Sequence, residues 1–469
     1  MTAVTTGSGR MAIWCAASAA FLTGLDGSVV AVSLPTISQG FGSTIGTATW
    51  VTAGYMVALS CALLPSGRLL DRFGPWRFFA WGFIGFVLAS AGCGFSSSVV
   101  MLIVMRCLQG LTAGMLIVSA FAVIPRSVPE AERAGAFATL TVLASLGVSL
   151  GGPVGGILSQ YASWRWIFLI NLPVGLIAAR QAKRFSISLQ EHIQAADRPI
   201  DLISIMSSVA ALGSAMIGLN RGDTLGWTSP YVVGFGTCSL VAALVFLQRE
   251  RLSADPLLAW DAMSAPVIRR GFIVAAVAYL YFAGLQFLFP FDLVDHRHFS
   301  SSQVGGAMLA YSLPLMGAGA LSGRMSRTLG LPWSQALAML FVLAGSLVLA
   351  FASEQLALLG GMAGCGIGFG LFTSPNNAAV MSAAAPGDQG RVAGSFQAVV
   401  RVSIACGVVL FEALHRQLSL MLQNRYNAVA ADALAFRSSY LTGAVLCLLV
   451  AVFALYFKPT EISSVQRGE

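Results

Sequence analysis

Apolar positions along this chain recur in long, nearly unbroken stretches, with polar residues confined to short turns between them. Stretches such as Trp81 to Gly94 and Leu441 to Phe457 are apolar on every face. They lack the two-residue alternation of barrel strands and the single polar stripe of a surface helix. About 20 apolar residues cross a hydrocarbon core of roughly 30 Å as a helix, which satisfies its own backbone hydrogen bonds there. Read this way, spans fall near 11 to 34, 48 to 66, 78 to 95, 99 to 123, 135 to 158 and 164 to 180. After a polar connector (Gln181 to Pro199) come spans near 200 to 219 and 230 to 247, then a second connector (Gln248 to Arg270). Six more follow, near 271 to 291, 304 to 323, 334 to 352, 356 to 377, 392 to 412 and 438 to 457. The pattern predicts an all-α integral membrane protein of fourteen transmembrane helices. A six-helix bundle covers 1–180, a connector with two additional spans covers 181–270, and a second six-helix bundle with a short tail covers 271–469.

Composition agrees and narrows the function. Of 469 residues, 57% are hydrophobic and 10% charged, against roughly 25% charged in soluble proteins. A water-soluble enzyme is excluded. The net charge of +8 is scattered along the chain instead of gathered into the basic face that nucleic acid requires. Its distribution carries topology: nineteen of the 27 Lys and Arg fall in alternate loops on the N-terminal side, six on the other side and two within spans. By the positive-inside rule both termini are cytoplasmic. The apolar run after Met1 to Arg10 continues to Leu34, longer than a signal segment, and reads as a retained first span.

An energy source is harder to find. A phosphate-binding loop ends in Gly-Lys-Ser/Thr, and neither lysine, Lys183 or Lys458, has that setting. Gly364, Gly366, Gly368 and Gly370 lie inside an apolar span and read as close helix packing. The four histidines fall in connections; His296 and His298 read as solvated, and the eight cysteines as small core residues, so no metal and no cofactor is expected. Ion-gradient coupling or passive transport remains.

A short repeat supports a two-halved transporter. Gly67 to Gly74 (Gly-Arg-Leu-Leu-Asp-Arg-Phe-Gly) is echoed 256 residues later by Gly323 to Gly330 (Gly-Arg-Met-Ser-Arg-Thr-Leu-Gly). Related halves that rock about a midplane site are a recurrent transporter plan.

Charge within a bilayer is costly, so each intramembrane ionisable residue is a candidate for function. Three stand out: Asp26, Arg106 and Arg401. Asp26 lies about 22 Å above the inner boundary and Arg106 about 10 Å below the outer one at 1.5 Å per residue. In a core of roughly 30 Å these depths coincide. The two residues can therefore share one site, either as a static ion pair or as a proton-coupling pair. Gln109, Gly110 and Gly114 share the helix face of Arg106. Arg401 is left as an anion ligand or a carbonyl cap, since Glu412 is three turns away.

Several segments resemble the major facilitator superfamily, and specifically its fourteen-helix drug:proton antiporter branch. Leu25-Asp26-Gly27-Ser28 through Pro35 is similar to that branch's first-helix motif, with Ser28 and Ala31 replacing the usual Thr and Asn. Gly67, Asp71, Arg72 and Gly74 match the superfamily loop between helices 2 and 3. Arg106-Cys107-Leu108-Gln109-Gly110 fits the helix-4 motif. Gly147, Gly151, Gly152, Pro153, Gly155 and Gly156 resemble the antiporter motif of helix 5, one residue short. Trp164 to Phe168, with Asn171 and Pro173, resembles the entry to helix 6.

The resemblance covers the first 175 residues in order. It implies proton coupling through Asp26, Arg106 and Gln109, gating of the inner side by Gly67, Asp71, Arg72 and Gly74, and a hinge or packing kink at the helix-5 motif. It implies export of an amphipathic cation against protons, by a single chain in a bacterial cytoplasmic (inner) membrane. The expected partners are a small-molecule substrate, protons and the lipid bilayer, with no nucleic acid. Rival readings are an exporter of one endogenous metabolite or organic anion, and a non-transporting sensor or scaffold. Span 10 (Val304 to Gly323) has no acid, which argues against divalent-cation recognition.

Overall fold

A computed structural model describes residues 7–188, 201–253, 256–297, 299, 301–352, 354–423 and 425–456. Among these there is no strand. The first part of the chain forms α1 (Gly7–Gly40), α2 (Ile45–Phe73), α3 (Pro75–Gly94), α4 (Val99–Ser127), α5 (Glu130–Tyr161), α6 (Trp166–Leu169) and α7 (Asn171–Ser188). Then come α8 (Leu202–Leu225), α9 (Pro230–Leu252) and the short α10 (Trp260–Ser264). The rest forms α11 (Pro266–Phe291), a π-helical turn (Asp292–His296), α12 (Ser301–Leu329), α13 (Leu331–Phe351), α14 (Gln355–Ala383), α15 (Gln389–Gln423) and α16 (Ala428–Tyr456).

Every predicted span falls on a helix. Among the described residues thirteen helices are long and apolar enough to cross a membrane. The sixth span is the fourteenth: it is broken at Ile170 into α6 and α7, and Arg180, Lys183 and Arg184 charge its last turns. Most helices run beyond their apolar cores because their polar ends need not stop at the hydrocarbon edge. The first connector accordingly begins as helix, to Ser188, while residues 189–200, with His192, lie outside the described residues. The side chains of His296 and His298 do so too.

Helix ends follow local chemistry. Thr44 and Ser98 accept from the N–H groups of Thr47 and Met101 and cap α2 and α4. The repeated loop has the same conformation at both places. Gly74 ends α2 at φ 87°, with Pro75 opening α3, and Gly330 ends α12 at φ 76°, with Pro332 in the first turn of α13. Only glycine adopts such φ without strain, and Pro is favoured where the next helix starts. The final glycine of the motif is thus a backbone requirement in both halves.

Two compact units form. One comprises Met1–Glu130, Leu143–Ile268 and Met381–Val402; the other comprises Ala131–Val142, Arg269–Val380 and Ser403–Glu469. In the first, Val29, Val30, Ile37, Val51, Leu102, Ile167 and Phe168 pack together fully buried. In the second, Tyr281, Tyr311, Phe369, Phe372 and Tyr440 dominate the core. Here the glycine run of α14 shows its role. A Cβ on Gly366 or Gly370 would lie within 2.3 Å of a carbonyl oxygen of α12, and one on Gly368 2.5 Å from Ala338 O of α13. Helices approach backbone to backbone on two faces, as membrane packing favours. Large apolar side chains such as Leu88, Leu240 and Leu244 stay exposed. On a soluble protein that surface would aggregate; on a multi-pass membrane protein it meets lipid.

Candidate functional site

Asp26 of α1 and Arg106 of α4 meet, as their depths predict, and neither has any exposed surface. The Asp26 carboxylate accepts three hydrogen bonds: from Arg106 Nη1 at 2.5 Å, Gln109 Nε2 at 3.0 Å and Asn171 Nδ2 at 3.1 Å. Arg106 also donates from Nη1 to Gln109 Oε1 at 2.8 Å and from Nε to Val51 O at 3.0 Å. Gln109 and Asn171 both donate to Ser90 Oγ, which in turn donates to Phe168 O at 2.9 Å. The guanidinium lies over the Tyr55 ring at 4.1 Å and the Phe168 ring at 5.7 Å. Six helices, α1 to α4, α6 and α7, thus contribute to one polar knot. It is incompletely bonded, because Arg106 Nη2, Asn171 Oδ1 and Tyr55 Oη are buried without a hydrogen bond.

The sequence explains the assembly. Arg106 and Gln109, three residues apart on α4, share a face. The break at Ile170 puts Asn171 at the first position of α7, pointing its amide to Asp26. A buried ion pair is tolerated when further hydrogen bonds satisfy its polar atoms, and Gln109, Asn171 and Ser90 supply most of them here, leaving Arg106 Nη2 over.

The helix-5 motif braces α1 beside Asp26. A Cβ on Gly147 would lie 2.4 Å from Phe21 O, one on Gly151 1.9 Å from Ser28 Oγ, and one on Gly155 2.7 Å from Val29 O. These three, spaced by four, form the seam. Gly152 and Gly156 face elsewhere, with at most one atom near. The helix continues through Pro153.

A second cluster surrounds Asp71. Its carboxylate accepts from the backbone N–H groups of Gly390 (2.9 Å) and Arg391 (2.8 Å), in the first turn of α15, and from Arg126 Nη2 at 3.0 Å. Arg126 also donates to Gln389 Oε1 and to Pro386 O. Asp71 therefore satisfies orphan donors at the positive end of a helix dipole. Gly67 permits the approach, since its Cβ would fall 2.5 Å from Gly390 O. Arg72 lies instead beside the Phe73 ring, and Gly74 shapes the turn. Arg401 lies half-buried on α15.

Sequence reasoning did not single out Ser90, Tyr55, Arg126 or Asp292. Ser90 and Tyr55 are ordinary residues of apolar spans, and Arg126 one loop cation among many, until neighbours converge on them. Asp292, 2% exposed and accepting from Tyr440 Oη at 3.1 Å, sits one residue past the end of a predicted span, which the π-helical turn extends.

The profile described as Major Facilitator Superfamily matches residues 16–246, 201–408 and 271–468. The chain is 25% identical over 442 residues to "Riboflavin transporter RibZ" of Clostridioides difficile (strain 630), covering 93% of this chain and 95% of that protein. It is 30% identical over 288 residues to "Multidrug export protein EmrB" of Escherichia coli (strain K12), covering 61% of this chain and 56% of that one. The solved structure of the human organic anion transporter MFSD10 superposes over 96% of this chain and 100% of that one with a TM-score of 0.65 at 15% identity, a likeness of fold alone.

Proposed function

We propose that this chain, which belongs to the Major Facilitator Superfamily, exports amphipathic cations across the cytoplasmic membrane in exchange for protons, with both termini on the cytoplasmic side. The observation that carries the reading is the fully buried Asp26, held by three donors from α4 and α7 next to a guanidinium with one nitrogen unsatisfied. A proton on Asp26 cancels the negative charge of the pair and leaves Arg106 uncompensated. An isolated buried charge is destabilising by about 3–5 kcal/mol. Protonation thus favours whichever conformation rehydrates Arg106, and release of the proton favours the closed knot. That is the differential stabilisation an alternating-access cycle needs.

Asp71 is the latch of the cytoplasmic face in this scheme. A carboxylate at a partly buried helix N-terminus contributes up to about 2 kcal/mol, close to a 30-fold bias at 1.4 kcal/mol per factor of ten. Asp71→Ala is expected to lengthen the distances between spin labels on the ends of α2 and α15, with Asp71→Glu restoring part of the population. Unchanged distance distributions would exclude the latch.

Similarity to EmrB supports drug export, and the longer match to RibZ supports a second reading, transport of one metabolite. Everted vesicles carrying an imposed pH gradient separate them. The first reading expects accumulation of a cationic dye with collapse of the gradient. Movement of riboflavin or an organic acid with no dye accumulation would transfer the conclusion to the second.

A further inference from the structure

The second compact unit holds a cavity of about 520 Å³ that the mechanism above does not use. It lies where three helices end together: the turn after α11 supplies Asp292 and Arg297, the end of α13 Leu349 to Ala352, and α16 Phe436, Arg437 and Tyr440. Its polar groups are unevenly matched. Asp292 accepts from Tyr440 Oη and lies 3.8 Å from Arg297 Nε, which forms a near-neutral set at the cavity floor. Arg437 is exposed at the mouth with its guanidinium 4.1 Å over the Phe351 ring, and among the described residues no carboxylate is paired with it. Arg297 Nε, though buried, makes no hydrogen bond. Among the described residues the cavity lining therefore carries two guanidinium groups to one carboxylate, with Arg297 Nε free of a hydrogen bond.

Its surroundings specify the shape of an occupant. Phe351 ends the apolar length of α13, so the cavity lies where the hydrocarbon gives way to the polar boundary. Along the same two helices, away from the mouth, Leu347 and Val348 of α13 and Val445, Leu448 and Leu449 of α16 are exposed apolar side chains. From Tyr440 to Leu448 is about 12 Å at 1.5 Å per residue. An anionic head at Arg437 and Arg297 thus leads directly onto an apolar track. Guanidinium groups match phosphate oxygens in a bidentate fork, and the volume suits a small organic group.

We propose that this cavity binds the phosphate of a phosphodiester or phosphomonoester, with Arg437 and Arg297 as its ligands and the exposed faces of α13 and α16 receiving any attached acyl chains. The phosphate belongs either to a bilayer phospholipid or to a water-borne organic phosphate. Native mass spectrometry of the full-length protein in detergent distinguishes the two. The probes are phosphatidylglycerol, diacylglycerol with the same chains, and glycerol 3-phosphate. The expected result is retention of phosphatidylglycerol at least fivefold above diacylglycerol, lost in Arg437→Ala and partly kept in Arg437→Lys. Arg297→Gln, scored for folding by thermal unfolding, should weaken retention in the same direction. Displacement by glycerol 3-phosphate at equal concentration assigns the site to a free phosphate, and failure to displace assigns it to the lipid; either supports a phosphate site. Equal retention of the two lipids, or equal retention by wild type and Arg437→Ala, would overturn it.

Discussion

Asp26→Asn is expected to abolish substrate-driven proton movement in proteoliposomes while exchange of substrate across the membrane at zero gradient continues. Asn has the volume of Asp, accepts at Oδ1 as the carboxylate does, and lacks the negative charge. It therefore mimics the protonated state that the cycle visits, and the chain that tolerates that state should still insert and fold. Asn keeps one acceptor oxygen where the carboxylate has two, so it can serve either Arg106 or the amides of Gln109 and Asn171, and its NH2 meets donors on the other side. A lower unfolding temperature is expected, but not loss of the protein. Proton flux followed with an entrapped pH dye should fall to the level of empty vesicles. Retained flux would remove Asp26 from the coupling; lost exchange together with lost flux would make the residue a structural one.

Arg106→Ala is the more damaging change. It leaves the Asp26 carboxylate buried without its cation, held by two amide donors, and removes the bond to Val51 O and the contact with Tyr55. Breaking one partner of a buried pair costs about 3–5 kcal/mol. The double variant Asp26→Asn, Arg106→Gln removes both charges and keeps amides that can bond to Gln109 and Asn171. It should recover a large part of that loss, so the two sites must be strongly non-additive in unfolding free energy, by about 0.5–3 kcal/mol as contacting pairs are. It should not recover proton flux. Additive losses would mean that the pair contributes nothing as a pair.

Much of this architecture was legible in the chain because lipid imposes a simple rule: a span must be apolar and must close its own hydrogen bonds. The helix at every predicted span follows from that rule. The break in the sixth span at Ile170 falls just before Pro173, which has no N–H to donate and is tolerated only in the first turn of the helix that follows. The pairing of Asp26 with Arg106 could be read from depth alone, because charges in oil at equal depth have few other partners. Ser90 could not, as a buried serine is recognised only by what surrounds it, and Asn171 was marked by resemblance alone, with no hint that it meets Asp26. The glycine positions illustrate the same limit. Gly147, Gly151 and Gly155 share a helix face, which spacing shows, but that they meet α1 and that Gly152 and Gly156 do not is decided by the rotation of α5. Around Asp71, sequence named Asp71 and Arg72 together as gating residues, whereas Asp71 binds Arg126, 55 residues away, and Arg72 lies beside the Phe73 ring.

The central claim is that Asp26 changes its proton occupancy during transport. Infrared difference spectroscopy of the protein in lipid, on addition of a transported cation, reads this directly through the carboxyl C=O stretch, which exists only for the protonated acid. A carboxyl band that changes with substrate in the wild-type protein and is missing in Asp26→Asn is the predicted result. A spectrum in which the Asp26 carboxylate stays ionised with and without substrate, while proton-coupled transport proceeds, would contradict it.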